Sequence, residues 1–167
     1  MAATPETIQA LLSTITADRL AILARHEASA RVVAHYDFNN TYQYVVNREE
    51  THVRWLIDAL ADVGAPVPQP AASLGTPVAP KGTNPAAFRD ILNEDARLLG
   101  DFISRWTPRV AGMTHARHRR MLDVMLGEAR EHQRLFEQAA SGFEDVLGRR
   151  TTTSPRVGGV LPKRWQV

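Results

Sequence analysis

GAPVPQPAASLGTPVAPKGT, residues 64 to 83, decides how the chain is organised. It holds Pro66, Pro68, Pro70, Pro77 and Pro80 and few large apolar residues, so neither a helix nor a central strand runs through it. Connections this long are uncommon in a compact domain unless they perform a task. Crossing the length of a helical bundle is one such task.

Upstream of it, no glycine or proline occurs from Thr7 to Val63. That run is too long for one average helix. Its only punctuation is DFNN, residues 37 to 40, where Asp and Asn side chains can close one helix and cap the next. A hairpin turn is expected there, between a first helix starting at Thr4-Pro5-Glu6 and a second closed by Gly64. Downstream, Asn84-Pro85 is a cap followed by proline and starts a third helix, expected to reach about Trp106 before Pro108 and Gly112 interrupt it. Thr114 caps a fourth that runs to about Ala140, ahead of Ser141-Gly142. No convincing period-two alternation appears anywhere. The expected fold is all-α, an antiparallel four-helix bundle with a long crossover between the second and third helices.

At 167 residues, with 44% hydrophobic and 23% charged side chains, the composition is that of one globular domain with a real core. No apolar run approaches the length of a membrane span, and the start MAATPETIQ lacks the basic and apolar regions of a signal peptide, so a cytoplasmic protein is expected. The absence of cysteine removes disulfides, Fe–S clusters, thiolate zinc sites and cysteine nucleophiles together. Any metal must be held by carboxylates and imidazoles. The formal charge of +2 is uneven: Arg149, Arg150, Arg156, Lys163 and Arg164 stand in residues 149–167 without an acid, leaving residues 1–148 with 15 basic against 18 acidic side chains. The basic character belongs to the tail, so a nucleic-acid-binding body is not expected. The domain reading is a bundle over 1–148 and a basic, flexible tail over 149–167.

Within the second helix, NREETHVRW, residues 47 to 55, interrupts an apolar stripe. Tyr42, Val45, Glu49, His52, Leu56 and Leu60 share one face. On the fourth, Met121, Met125, Glu128, His132, Leu135 and Ala139 do the same, with Glu131 beside them. The first helix reads as Leu20, Leu23, Glu27, Ala30 and Ala34, and the third as Phe88, Ile91, Asp95, Leu98 and Phe102, with Glu94 adjacent. Each helix thus aims a carboxylate inward, and converging buried carboxylates require protons or a cation. Heights agree too. Positions 27 and 49 are equidistant from the expected DFNN turn, and 94 and 128 from the PRVAGM turn, residues 108 to 113.

This pattern resembles the ferritin-like superfamily, whose di-metal members take one Glu from each of two helices and a Glu-x-x-His from each of the other two. Glu49-Glu50-Thr51-His52 matches that motif. The fourth helix departs from it, because Glu131 stands three on from Glu128 and His132 four on; both remain candidates, as do Glu94 and Asp95 on the third helix. The resemblance implies two iron ions, or manganese, held among Glu27, Glu49, His52, Glu94, Asp95, Glu128, Glu131 and His132. The implied chemistry is Fe(II) oxidation coupled to dioxygen or peroxide reduction, a ferroxidase or rubrerythrin-like oxidative-stress role in a homo-oligomer served by a separate electron donor. Tyr42 is a weak catalytic candidate beside its reading as core. His26, His35, His115 and His118 are read as surface. The alternative is a metal-free bundle acting as a structural or interaction protein, its acids paired to arginines such as Arg97 or Arg130. Its tail, carrying Leu161, Trp165 and Val167, would dock a partner in the manner of encapsulin cargo.

Overall fold

In a computed structural model of the chain, residues 6–150 and Val160 are described. These form four helices and no strand: α1 (Ile8–Val32), α2 (Tyr36–Asp62), α3 (Arg89–Ala111) and α4 (Ala116–Ala140), with a short 3-10 turn, Pro85–Phe88, leading into α3. The first helix begins later than the Thr4-Pro5-Glu6 reading. Its cap is Thr7, whose hydroxyl accepts from the Ala10 amide at 3.1 Å, and Thr4 and Pro5 lie outside the described residues.

The first hairpin turn falls at Val33–His35, not within residues 37–40. His35 takes the capping role, its ring accepting from the Phe38 amide. Asp37 sits in the first turn of α2, where the helix dipole favours an acid. Phe38 is fully buried, and Asn39 donates from its side-chain amide to the Ala30 and Val33 carbonyls. The polar residues that looked like a break therefore tie the end of α1 from inside α2, satisfying carbonyls the helix end leaves free.

That shift resets the pairing of the two helices. Asn39 meets Ala30, the rings of Tyr42 and His26 lie 6.3 Å apart, Glu49 meets Arg19, and Gln9 reaches the Val63 carbonyl. Along α1 the buried stripe runs through Leu12, Ile15, Arg19, Ile22, His26 and Ala30. It is rotated from the expected one, since Leu20, Leu23 and Glu27 are only half-buried and Ala34 is exposed. The third helix continues through Pro108 to Ala111, because fully buried Trp106 and Val110 hold its last turns against the core; Trp106 also donates its indole N–H to Asp18.

α1 packs most closely on α2, and α3 on α4. The two pairs meet through α1 with α3 and α2 with α4. Leu12, Ile15, Leu56, Leu60, Leu92 and Leu99 are among the fully buried side chains at the centre, each contributing on the order of 1.5–3 kcal/mol of transfer free energy. Glu6 pairs with Arg109, and Asp62 with Arg117. Residues 64–84 run without regular structure alongside α1, where the Ala71 amide donates to the Ala17 carbonyl and Arg25 reaches the Gly75 carbonyl. Gly64 has φ +68°, the left-handed conformation that ends a helix most cheaply with glycine. After α4, Val146 and Leu147 pack on the core and Arg150 pairs with Asp37 and Glu144. The proposed docking tail, with Leu161, Trp165 and Val167, lies outside the described residues.

Candidate functional site

The interior polar groups gather around Glu49, which is fully buried on α2. Both of its carboxylate oxygens lie 2.9 Å from Nδ1 of His26 on α1. One guanidinium nitrogen of Arg19, also on α1, stands 3.6 Å from Glu49 Oε1 and donates to His52 Nδ1 at 2.8 Å. A donor at Nδ1 fixes the neutral His52 tautomer with its proton on Nε2, which faces Glu128 Oε2 at 2.6 Å. Arg48 completes the chain with a bidentate pair on Glu128 at 2.7 and 3.0 Å. The His132 ring stacks over His52 with centroids 6.2 Å apart. Helical spacing explains the grouping: Arg19 and His26 are two turns apart on one stripe, while Glu49 with His52 and Glu128 with His132 are three-on and four-on neighbours.

α3 adds no acid at this level. The Arg19 guanidinium lies 5.3 Å from the centroid of the Phe102 ring there. The α3 carboxylate belongs to a separate layer, in which buried Asp95 accepts from Arg25 Nε at 2.7 Å and from the Tyr42 hydroxyl at 2.5 Å. Phe136 lies between the layers, its ring 4.8 Å from that of Tyr42 and 5.1 Å from that of His26.

Electrostatics follow from this geometry. Burial alone would raise the Glu49 pKa, but His26 and Arg19 outweigh it and hold the carboxyl down at about 2. Burial, reinforced by Arg19, lowers His52 to about 4 against the pull of Glu128. Burial lowers His132 to about 3, opposed by Glu49 and helped by Arg19. Burial also lowers Arg19 itself, which Glu49 and Glu128 counteract. At neutral pH the centre is therefore a carboxylate beside an arginine, with His52 and His132 neutral. Tyr42 is pushed well above its ordinary value by burial and by Asp95, and stays a phenol.

Of the residues singled out in the sequence, Glu49, His52, Glu128 and His132 come together. Asp95 and Tyr42 pair with each other one layer away. Glu94 is on the surface with Arg97, one of the two arginines offered as partners for the acids in the alternative reading. Glu27 is half-buried away from the α1 stripe, and Glu131 is half-buried with its charge felt at Tyr44 and Arg48. The sequence reading missed Arg19, Arg25, Arg48 and His26. His26, expected at the surface, is fully buried, and His118 is 3% exposed. The available signal was the spacing Leu12, Ile15, Arg19, Ile22, His26, an apolar stripe as regular as the one chosen.

These residues do not fit a pair of divalent cations. A two-metal centre needs a carboxylate from each helix, and here α1 offers an arginine and α3 a phenylalanine at the level of Glu49. The permanent charge of Arg19 already neutralises Glu49 and repels a second cation. Among the described residues, no three His, Asp or Glu side chains are placed to hold a metal ion together. One observation points the other way: both ring nitrogens of His132, and Nε2 of His26, are buried without a hydrogen-bond partner among the described residues. Nor is any helix there long and apolar enough to cross a membrane. No family model, no curated protein and no solved structure matches this chain.

Proposed function

We propose that the chain is a ferritin-like bundle whose interior acid–histidine network is held by arginine instead of two metals, and that it works as a structural or interaction protein. The carrying observation is Arg19, fully buried and in contact with both Glu49 and His52. The topology assigned to it is α1 and α2 antiparallel, α3 and α4 antiparallel, and residues 64–84 crossing the bundle. It is supported by the contacts Gln9 to Val63, Glu6 to Arg109 and Asp62 to Arg117, which gather the starts of α1 and α4 and the ends of α2 and α3 at one end. Ala71 beside Ala17 and Gly75 beside Arg25 are steps on the way back.

A second reading, the di-iron or di-manganese ferroxidase, draws on the unpartnered nitrogens of His132 and His26. Elemental analysis separates the two. Protein purified without chelator, and again after anaerobic addition of Fe(II) or Mn(II), should contain no stoichiometric transition metal. About two equivalents per chain, lost in Glu49→Ala, would overturn the proposal in favour of the metal reading.

A further inference from the structure

The outer faces of α2 and α4 enclose a groove of about 460 Å³ near the end of α2 and the start of α4. Its apolar lining is Trp55, Ala59, Met121 and Val124, and Val124 is 48% exposed, one of the few large apolar side chains so open. The two walls carry opposite charge. Asp58 and Asp62 stand on the α2 side, and Arg117 and Arg120 on the α4 side.

Both walls oppose their own helix dipoles. Acids near a helix C-terminus and bases near an N-terminus are each disfavoured, α2 has no basic residue in its last turn, and α4 has no acid in its first. The Arg117–Asp62 contact at 3.3 Å compensates only in part, since those side chains remain 79% and 45% exposed. His118 also lines the groove, 3% exposed, with its Nε2 3.8 Å from Asp62 Oδ2. Charge that local structure disfavours, flanking an open apolar floor, marks a surface completed by a partner.

We infer that the partner is a second copy of this chain, docked groove to groove about a two-fold axis running along the groove. Half a turn about that axis lays the arginine wall of one copy over the acidic wall of the other, on both sides at once, and lets the apolar floors meet. Any occupant with one sign of charge would satisfy one wall and repel the other. The inference stands on the outer faces of α2 and α4 and does not depend on how the interior cluster is read.

The test is sedimentation equilibrium of the full-length chain from micromolar to submillimolar concentration, with helicity checked by circular dichroism. Wild type should move from 18.5 kDa towards twice that mass. Asp58→Lys/Asp62→Lys makes the groove wholly basic, and Arg117→Glu/Arg120→Glu makes it wholly acidic. Each variant alone should stay at the single-chain mass, and an equimolar mixture should form a heterodimer. A wild type that remains at 18.5 kDa throughout, as when the chain's own tail or another protein fills the groove, would overturn the inference. So would variants that self-associate like wild type, or folded variants whose mixture does not pair.

Discussion

Arg19→Leu tests the reading of the interior most directly. The side chain is fully buried, makes the 3.6 Å contact to Glu49 and the 2.8 Å bond to His52, and lies over Phe102. Leucine fills part of the volume but leaves Glu49 compensated by His26 alone. Removing one member of a buried charge pair typically costs about 3–5 kcal/mol, because the remaining charge stays desolvated. With a denaturant slope of about 2 kcal/mol per molar urea for a domain of this size, the midpoint should fall by about 2 M. Arg19→Leu/Glu49→Leu should recover most of that loss, since a well-packed apolar pair carries no charge to desolvate. Urea melts of wild type, both single variants and the double variant, each with and without EDTA, close the cycle. The reasoning fails if Arg19→Leu costs less than about 1 kcal/mol, or if the two single losses simply add. An Arg19→Leu protein stabilised by Fe(II) would show that the arginine had been occupying a metal position.

Acid stability and the second layer give two further expectations. His52 and His132 have folded pKa values of about 4 and 3 against an ordinary value of 6.5, so the unfolded chain binds more protons between those limits. Stability should then fall as pH drops below about 6.5. Glu49, held at about 2 from 4.5, contributes stability above its unfolded value that is lost as pH falls from 4.5 towards 2, steepening the same trend. Thermal melts between pH 7 and 4 should show the fall, and His132→Phe should flatten it; a flat wild-type profile would contradict the buried neutral imidazoles. In the Asp95 layer, Tyr42→Phe removes one of two hydrogen bonds and should cost about 1–2 kcal/mol. Asp95→Ala strands buried Arg25 as well and should cost about 3–5 kcal/mol. Equal losses in urea melts would show that Arg25 does not depend on Asp95.

Local chemistry in the sequence was sufficient for the number and order of the helices and for the connection between the pairs, though α3 runs past Pro108 to Ala111 and His115, not Thr114, caps α4. Proline density excluded regular structure from residues 64–83, and helical spacing named the buried Glu49, His52 and His132, with half-buried Glu128 reaching them from the edge. What the sequence reading misplaced was the first turn and the rotation of α1, because two apolar stripes on that helix are equally regular one residue apart. A turn at residues 37–40 would have set Glu27 level with Glu49 and made four converging acids. The turn at Val33–His35, tied by Asn39 to the carbonyls of Ala30 and Val33, sets Arg19 there instead. Moving the turn by about four residues slides the pairing across the hairpin by about eight, roughly two helical turns, and here it exchanges an acid for a base. Only the packing of all four helices chooses between those registers, since it alone decides which stripe buries more apolar surface and which charges find partners.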